Sequence, residues 1–380
     1  MKKLLFQKFL KDNLKFFAVS CFTFGAIVWV IQAVGFLDIV AEDGHGFSVY
    51  FFYSALNFPK IINKLLPFVF FISLFYQLIK YELNNEMLVF WINGVHKRQF
   101  INVIIFYSVL VSLFQILLSG FISPLASNEA RSYIRESSID FFPSLIKEGK
   151  FIDTVKNLTI FIESKDSAGN YKNIYLKDDI NATEGNLVEK SQIIYAKKGN
   201  LINKNTERYL ELFDGQILNS DGTKIKSFTF KKVNFNLAKF DSKTTTFPKI
   251  QETPSTVLFE CLEYSFKNKL DEYKNDNFVC QPESMNNIKQ ELLKRFYKPI
   301  YFPLIGLICC LLIIISKENN AYNYLKFFLF LFIMMILIIS EISVRYSTYN
   351  NFGIYFFILF PILTFLMFYI PIITTFRNKI

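Results

Sequence analysis

Six long apolar segments constrain the fold of this chain more than any other feature. A helix needs about 20 largely apolar residues to cross the hydrocarbon layer of a bilayer. The qualifying segments fall three before and three after a long hydrophilic stretch, at residues 14–37, 58–79, 100–123, 298–316, 324–345 and 352–376. They predict six transmembrane helices in a three-plus-three arrangement. The apolar run of the first segment is too long for a signal peptide, so we interpret it as an anchor.

The composition agrees with a membrane protein and argues against several enzyme classes. Hydrophobic residues make up 52% of the chain, which includes 46 Phe, whereas soluble domains have about 45–50% apolar residues. The net charge of +10 could indicate nucleic-acid binding, but the basic residues cluster beside the apolar segments. The chain has two His and lacks the HExxH, CxxC, GxSxG and GxxxxGK[ST] patterns. We therefore expect no catalytic site, no metal, no cofactor and no nucleic acid.

The basic residues of the short loops predict the orientation. Lys and Arg occur in the N-terminal segment, in the 80–99 and 317–326 loops and in the C-terminal tail, whereas the 38–57 loop has none. Loops rich in Lys and Arg stay on the cytoplasmic side. Both termini are therefore expected to be cytoplasmic, and the hydrophilic stretch between spans three and four is expected to face outward.

That hydrophilic stretch has the pattern of an antiparallel β domain. Short alternating segments at 158–164, 172–176, 192–198, 209–213 and 225–235 are separated by Gly, Asp and Asn turn signals. Strands at roughly ten-residue spacing favour a sandwich or jelly roll. Two helices follow Pro254, and Ser284 is expected to cap the second. We predict three regions: a first transmembrane half (1–123), a β-jelly-roll domain (124–297) and a second transmembrane half (298–380).

The loop between spans two and three, KYELNNEMLVFWINGVHKRQF (80–100), predicts a short amphipathic helix over about 82–94. Helical spacing gives the helix an apolar face, formed by Leu83, Met87, Phe90 and Trp91. Its polar face is formed by Glu82, Glu86 and Asn93. Gly94 is expected to end the helix. The helix is expected to lie under the membrane with its carboxylates free. It is either a solvated connector or a coupling helix that contacts a cytoplasmic motor.

Three segments, taken in their order and spacing, carry a family resemblance. They are YELNNEMLVFWINGVHK (81–97), LTIFIESKDSAGNYKNIYL (158–176) and ELLKRFYKPIYFPL (291–304). Together with the arrangement of three spans, an outward β domain and three spans, they resemble the LptF/LptG permeases of lipopolysaccharide export, and LptF more than LptG.

The resemblance implies a non-catalytic permease subunit in the inner membrane with a periplasmic β domain. Its implied partners are an LptG-like second permease and an LptB-like ATPase dimer that binds the ATP and Mg. Periplasmic LptC- and LptA-like proteins would receive the lipopolysaccharide. Glu86 matches the acid of the family's coupling helix that pairs with an ATPase arginine, and Glu82 and Gly94 belong to the same helix.

The resemblance also implies substrate contacts at the outer ends of the spans. Family members often carry basic residues near the outer end of span one, where this chain keeps Gln32, a candidate substrate contact, but has Ala33 and Phe36 at the positions expected to be basic. In span five, Arg345 stands where the family has a basic residue. Arg345 either contacts lipid phosphates or pairs with Glu341 one helical turn earlier, and the two readings are compatible.

The cysteines divide by location. Cys21, Cys309 and Cys310 lie within spans and are expected to be packing residues, whereas Cys261 and Cys280 both lie on the outward side. In an oxidising compartment these two could form a disulfide, or they could be two separate buried thiols.

Two other function classes compete with an exporter. A membrane-embedded enzyme is disfavoured because the spans lack the His, paired Asp or Ser-Lys arrangements that such chemistry needs. A membrane-anchored assembly or scaffold protein with an outward β domain is the alternative. Co-purification of an ATPase would separate an exporter from both.

Overall fold

The computed structural model describes residues 2–37, 47–137, 148–155, 158–166, 170–180, 190–204, 207–220, 225–236, 249–267, 278–348 and 351–377. The chain divides into two compact units. The helical unit comprises Met1–Ala33, Ser54–Ala130 and Phe247–Ile380, and the sheet unit comprises Val34–Tyr53 and Arg131–Thr246. The region boundaries proposed from the sequence, after residues 123 and 297, stay a prediction.

Eleven α-helices are found in the described residues. They are α1 (Lys2–Gly35), α2 (Phe47–Leu56), α3 (Phe58–Leu83), α4 (Glu86–Ile92), α5 (Lys97–Leu117), α6 (Ser123–Ser137), α7 (Ser255–Phe266), α8 (Met285–Leu292), α9 (Tyr301–Cys309), α10 (Ala321–Tyr346) and α11 (Asn351–Arg377). Six helical stretches are long and apolar enough to cross a membrane, namely Lys2–Gly35, Phe47–Leu83, Lys97–Ile134, Pro282–Ile313, Ala321–Tyr346 and Phe352–Pro371. The prediction of six transmembrane helices is confirmed.

The core of the helical unit forms around α9, which belongs to the apolar stretch Pro282–Ile313, the most buried of the six membrane-spanning candidates. Its residues from Leu304 to Cys309 are all buried, and the Phe302 ring lies 5.1 Å from the Phe70 ring of α3. A Cβ atom on Gly306 would collide with Ser108 of α5. Only glycine therefore allows this close approach of α5 and α9.

Two π-helical segments interrupt the third and fourth spans where they meet. Leu118–Ile122 follows α5, and Leu293–Tyr297 follows α8. A Cβ atom on Gly120 would lie 3.1 Å from the Phe296 ring, and the Ser119 hydroxyl donates to the Arg295 carbonyl at 2.8 Å. Such π-bulges occur frequently at functional sites. Here they lie where a side chain of the third span, Ser119, donates a hydrogen bond to the backbone of the fourth span.

The sheet unit contains six antiparallel strands in chain order. They are β1 (Phe151–Val155), β2 (Leu158–Lys165), β3 (Tyr171–Ile180), β4 (Lys190–Lys204), β5 (Glu207–Ser220) and β6 (Ile225–Asn236). Alternate residues such as Ile160, Ile174, Ile194 and Leu210 are buried in one apolar cluster, as the period of a half-buried strand requires.

The predicted helical membrane protein with an inserted antiparallel β domain is confirmed, and the structure adds the strand order. Each described strand pairs with its neighbours in sequence, from Phe151 opposite Phe161 to Tyr209 opposite Asn236. This order is a meander. The described strands lack the Greek-key return of a jelly roll.

Ser284 does not cap α8 as the sequence predicted. It occupies the position before Met285, but its hydroxyl donates to the Gln281 carbonyl at 2.8 Å. A short 3-10 turn at Pro282–Ser284 precedes α8, and this turn supplies the acceptor that redirects the hydroxyl.

Candidate functional site

Two features of the helical unit lie at its opposite ends. The cavity end is formed where α3 and α9 begin and α10 terminates, and it contains Lys60, Lys298 and Arg345. The short-helix end is formed where α3 terminates and α5 begins, and it carries α4.

A basic cavity of about 430 Å³ occupies the cavity end. Six cationic side chains and two carboxylates line it, a formal excess of four positive charges. The cations come from three spans: Lys60 and Lys64 from α3, Lys294, Arg295 and Lys298 from the segment between α8 and α9, and Arg345 from α10. Ionisable side chains are expensive within a membrane and mark functional sites there. The lining therefore favours an anionic ligand.

The cations of this cavity differ in whether a carboxylate of the chain already pairs with them. Lys294 pairs with Glu291 at 3.3 Å, and Lys298 pairs with Glu341. Within the described residues, neither Lys64 nor Arg345 forms an ion pair of 4 Å or less. Their charges are therefore the most available to a ligand.

Pairing with Glu341 was one of two readings of Arg345, and the structure shows no ion pair of 4 Å or less between these two described residues, only an electrostatic interaction at longer range. Glu341 instead contacts Lys298, which lies 43 residues away in sequence. Both Arg345 and Glu341 are exposed on α10 and both line the cavity. The segment between α8 and α9 brings Lys298 to the carboxylate, and helical spacing alone could not reveal that competitor.

Arg295 supports one wall of the cavity from behind. Its side chain is 2% exposed, and its Nε donates to Glu291 at 3.1 Å. Its terminal nitrogens donate to the carbonyls of residues 250, 251 and 253 and to the Ser255 hydroxyl. The guanidinium thereby ties the turn at 249–255 to the start of span four. Lys60 approaches the buried carboxylate of Glu252 in the same turn, at 3.8 Å.

Sequence reasoning missed the four lysines of the cavity. Lys60 and Lys64, like Lys294 and Lys298, are four residues apart beside or within an apolar span, and that spacing could have identified them. Gln32 is half-buried on α1 and is not a lining residue of the basic cavity. Its proposed contact with substrate stays a prediction.

The short helix α4 at the other end covers Glu86–Ile92 rather than 82–94. Glu82 and Leu83 belong to α3, and Asn85 makes the turn between the helices with a φ of 60°. The predicted stop agrees with the structure, since Gly94 has a φ of 71° that favours glycine. Leu83 is exposed rather than part of the buried face, whereas Met87 and Phe90 are buried.

The carboxylates predicted to be free have partners within the chain. Glu86 pairs with Lys8 of α1 at 3.1 Å, and Glu82 accepts a hydrogen bond from the Lys317 backbone at 3.1 Å. Both acids therefore join the short-helix end to neighbouring segments. The pairing leaves 31% of the Glu86 side chain exposed, so it can still reach a second partner.

Further contacts fix α4 to the surrounding helices. Phe90 lies 5.6 Å from Phe6 of α1 and 5.2 Å from Phe100 of α5, measured between ring centroids. Lys2 donates to the Gly94 carbonyl at 2.6 Å. The other side of α4 exposes Leu88, Val89 and Ile92, the last at 76%. The helix is thus rigidly held on one side and presents an apolar surface on the other.

Cys261 of α7 and Cys280 form a disulfide with a Cα–Cα distance of 5.9 Å. Cys261 also packs in a small buried cluster with Leu258 and Ile288. The bond therefore fixes α7 to the segment that leads into α8. Cys309 and Cys310 are buried free thiols in the core of the helical unit, and Cys21 is a partly buried one.

Comparison with known proteins identifies a family with which this chain shares nearly its whole length. The model of the family described as lipopolysaccharide export system permease LptF/LptG matches residues 8–377. This match does not separate LptF from LptG. A protein of Rickettsia prowazekii (strain Madrid E), described as uncharacterized protein RP871, is 24% identical over 201 residues. That alignment covers 52% of this chain and 53% of the relative, so the chain spans about half the length of the relative it matches.

Proposed function

The chain belongs to the LptF/LptG family of lipopolysaccharide export permeases and is a multi-pass inner-membrane protein, and from this premise we propose that it is one permease subunit of an ATP-driven exporter. It extracts lipopolysaccharide from the inner membrane and passes it to a periplasmic bridge toward the outer membrane. The chain itself is non-catalytic. An LptB-like ATPase dimer binds ATP and Mg, and an LptG-like second permease completes the transmembrane part.

The basic cavity is the observation that carries this proposal. A lipopolysaccharide molecule combines acyl chains with phosphates, so its site must place cations beside apolar walls. Lys64 and Arg345 supply cations without an ion pair of 4 Å or less to a described residue, and the cavity formed by three apolar spans surrounds them. Arg345 offers a planar donor group that suits phosphate geometry.

The short helix α4 supports the assignment of a separate motor. Its exposed Leu88, Val89 and Ile92 form an apolar surface of the kind that partners cover, and its buried side is packed against α1 and α5. Because the turn at Asn85 also joins α4 to α3, force applied to α4 would reach three spans: α1, α3 and α5. Glu86 lies beside this surface and can contact an ATPase arginine while Lys8 holds it in place.

The proposal includes the side of the membrane on which each part of the chain lies. The basic loops at the short-helix end favour a cytoplasmic location for it and for both termini. The Cys261–Cys280 disulfide supports a periplasmic location for the inserted region, because disulfides persist in oxidising compartments. LptC- and LptA-like proteins would then receive the glycolipid on that side.

Purification from native membranes under mild detergent tests the function. We expect mass identification to find an ATPase and a second permease with this chain, and bound lipopolysaccharide in the lipid extract. Recovery of the chain with neither ATPase nor glycolipid would instead support the assembly or scaffold alternative.

A matched charge reversal tests the site within that complex. Lys64→Glu should reduce bound lipopolysaccharide about tenfold or more while the ATPase still co-purifies, because a repulsive charge replaces an available cation. Lys11→Glu is the control, since Lys11 is an exposed lysine of α1 outside the basic cavity. Equal glycolipid content in the two variants would contradict the cavity assignment.

A further inference from the structure

The helix α7 is fixed to the third and fourth spans at one boundary of their apolar segments. The Ser255 hydroxyl at its start donates to the Gly120 carbonyl, and the Phe259 ring lies 5.4 Å from the Phe296 ring. Gly120 lies near the end of the apolar segment 100–123, and Phe296 lies just before the segment 298–316 begins. The helix α7 is therefore level with one edge of the hydrocarbon layer.

One side of α7 is buried and the opposite side is polar. Leu258 and Cys261 are 0% exposed and pack in a cluster with Ile288 of α8. The polar side carries the ion pair between Glu263 and Lys267, at 2.5 Å. Two more exposed residues, Thr256 and Glu260, lie on the same side by helical spacing. This polar side faces away from the helical core.

Two phenylalanines form an apolar flank between these two sides. Phe259 and Phe266 are seven residues apart, so they lie on one flank of the helix, and they are 50% and 79% exposed. Phe121 of the third span is 45% exposed and contacts the same Phe296 ring, at 6.3 Å between centroids. The exposed surface of Phe259 therefore continues the apolar outer surface of a membrane-spanning helix.

A lysine lies beside the outer phenylalanine of this flank. The Nζ of Lys289, an exposed residue of α8, lies 6.0 Å from the centroid of the Phe266 ring. Lysine at a membrane boundary places its apolar stem against apolar groups and its charge among the headgroups, and aromatic rings are enriched at the same depth. A helix with a buried side, a polar side and an aromatic flank suits a position parallel to the bilayer surface.

We propose that α7 is an interfacial helix whose partner is the lipid surface of the bilayer at the cavity end. Phe259 and Phe266 insert among the lipids at the edge of the hydrocarbon layer, Lys289 faces lipid phosphates, and the pair of Glu263 with Lys267 faces water. The proposal depends on the membrane-spanning fold and is independent of the proposed function. Because Arg295 donates to the Ser255 hydroxyl at 2.9 Å, the lipid surface would also hold one wall of the basic cavity in place.

Tryptophan fluorescence in vesicles tests this position. The two tryptophans of the chain are replaced by Trp29→Phe and Trp91→Phe, and Phe259→Trp or Phe266→Trp is added to the full-length protein. The vesicles contain phosphatidylcholine and phosphatidylglycerol, with acyl chains brominated either near the carbonyl or near the chain end. Both positions should lose about half of their fluorescence or more to the shallow bromines, and less to the deep ones, because an interfacial helix sits only about 5–10 Å into the boundary.

Thr256→Trp is the matched control on the polar side of the same helix. Its fluorescence should be quenched by iodide in the water and hardly by either brominated lipid. Leu363→Trp, at a 59% exposed position of α11, provides the reference for a side chain of a membrane-spanning helix. Phe266 is the last residue of α7 and is largely exposed, so its replacement keeps the packing of the helix even if Phe259→Trp prevents folding.

The outcomes separate the lipid surface from other partners. Strong shallow quenching at 259 and 266, with little at 256, supports the interfacial helix. Equal lipid quenching at 256 and 266 overturns it. Protection of 259 and 266 from both iodide and brominated lipids also overturns it, because a protein surface, such as a second copy of this chain, would then cover the flank. Retention of lipopolysaccharide by the native complex tests the proposed function separately.

Discussion

At the scale of single residues, Arg345 and Arg295 have opposite surroundings although both line the basic cavity. Arg345 is exposed and forms no ion pair of 4 Å or less with a described residue. Arg295 is 2% exposed and donates to five acceptors. We therefore propose that Arg345 binds the ligand and that Arg295 supports the cavity wall.

Replacement of Arg345 should affect glycolipid binding by charge and by shape. We expect Arg345→Glu to weaken lipopolysaccharide binding about tenfold or more, and Arg345→Lys only about two- to threefold, because lysine keeps the charge but loses the planar fork. Retention of lipopolysaccharide by the purified complex is the measurement. Normal binding and export by Arg345→Glu would remove Arg345 from the substrate site.

Replacement of Arg295 should affect stability before binding. Arg295→Ala leaves three carbonyls without this donor and leaves Glu291 paired with Lys294 alone, and a buried group left without its partner costs about 1–3 kcal/mol. We expect a lower melting temperature in detergent and faster proteolysis near 249–255. Asn287→Ala, at an exposed position of α8, is the control. A melting temperature for Arg295→Ala as high as that of the control would refute the support role.

The sequence was a better guide to which residues line the site than to which partners they contact. Arg345 was found because a charge in an apolar span is conspicuous, and it does line the cavity. For Glu341 the sequence offered only Arg345 as a partner, because Lys298 comes near it only when the segment before α9 packs beside α10. The buried Arg295 was not predicted, since five acceptors from two chain segments converge on it only in the folded state.

At the scale of elements, α4 is a short helix with two different sides. Phe90 is packed between Phe6 and Phe100, and Ile92 is exposed. The sequence predicted the helix and its glycine stop. It extended the helix too far toward the N-terminus because the αL turn at Asn85 leaves no signal in a hydrophobic pattern.

Glu86 provides a test of whether α4 contacts the motor directly. Glu86→Ala should reduce co-purification of the ATPase and ATP-dependent export, with the chain still folded in the membrane, because a charge-assisted contact is lost. Lys8→Ala breaks the same internal ion pair and keeps the carboxylate. If Lys8→Ala reduces ATPase binding as much as Glu86→Ala, Glu86 acts only by positioning α4 and the direct contact is excluded.

The disulfide provides a test at the level of α7. Reduction of Cys261–Cys280, or the Cys261→Ser/Cys280→Ser double variant, should destabilise the protein by about 3 kcal/mol in the chain-entropy estimate for a loop of this size. The melting temperature with and without reductant is the measurement, and Cys21→Ser is the control. Alkylation of both thiols in unfolded, unreduced protein would contradict the bond.

At the scale of the whole molecule, α3 joins the two functional ends of the helical unit. It carries Lys60 and Lys64 near its start and Glu82 near its end, and its 26 residues span about 39 Å. A displacement at α4 can therefore reach the basic cavity along one helix. The apolar segments alone predicted this arrangement of spans. The cavity itself could not be predicted, because its walls come from segments more than 200 residues apart.

Orientation can be tested on the intact cell. In a background in which Cys21, Cys309 and Cys310 are replaced, Lys226→Cys should react with a membrane-impermeant maleimide added from the periplasmic side. Asn319→Cys should react only after the inner membrane is opened. Both positions are in the part of the chain that the structure describes, and the reverse pattern of labelling would invert the proposed topology.

The central claim is that glycolipid occupies the basic cavity of an ATP-driven permease, and site-specific photo-crosslinking tests it most directly. A photoreactive residue is placed at Arg345, at Lys64 or, as control, at Leu363 on the exposed face of α11. We predict lipopolysaccharide adducts at 345 and 64 whose yield changes when ATP is supplied, and no ATP-dependent adduct at 363. Equal, ATP-independent yields at all three positions would contradict the account.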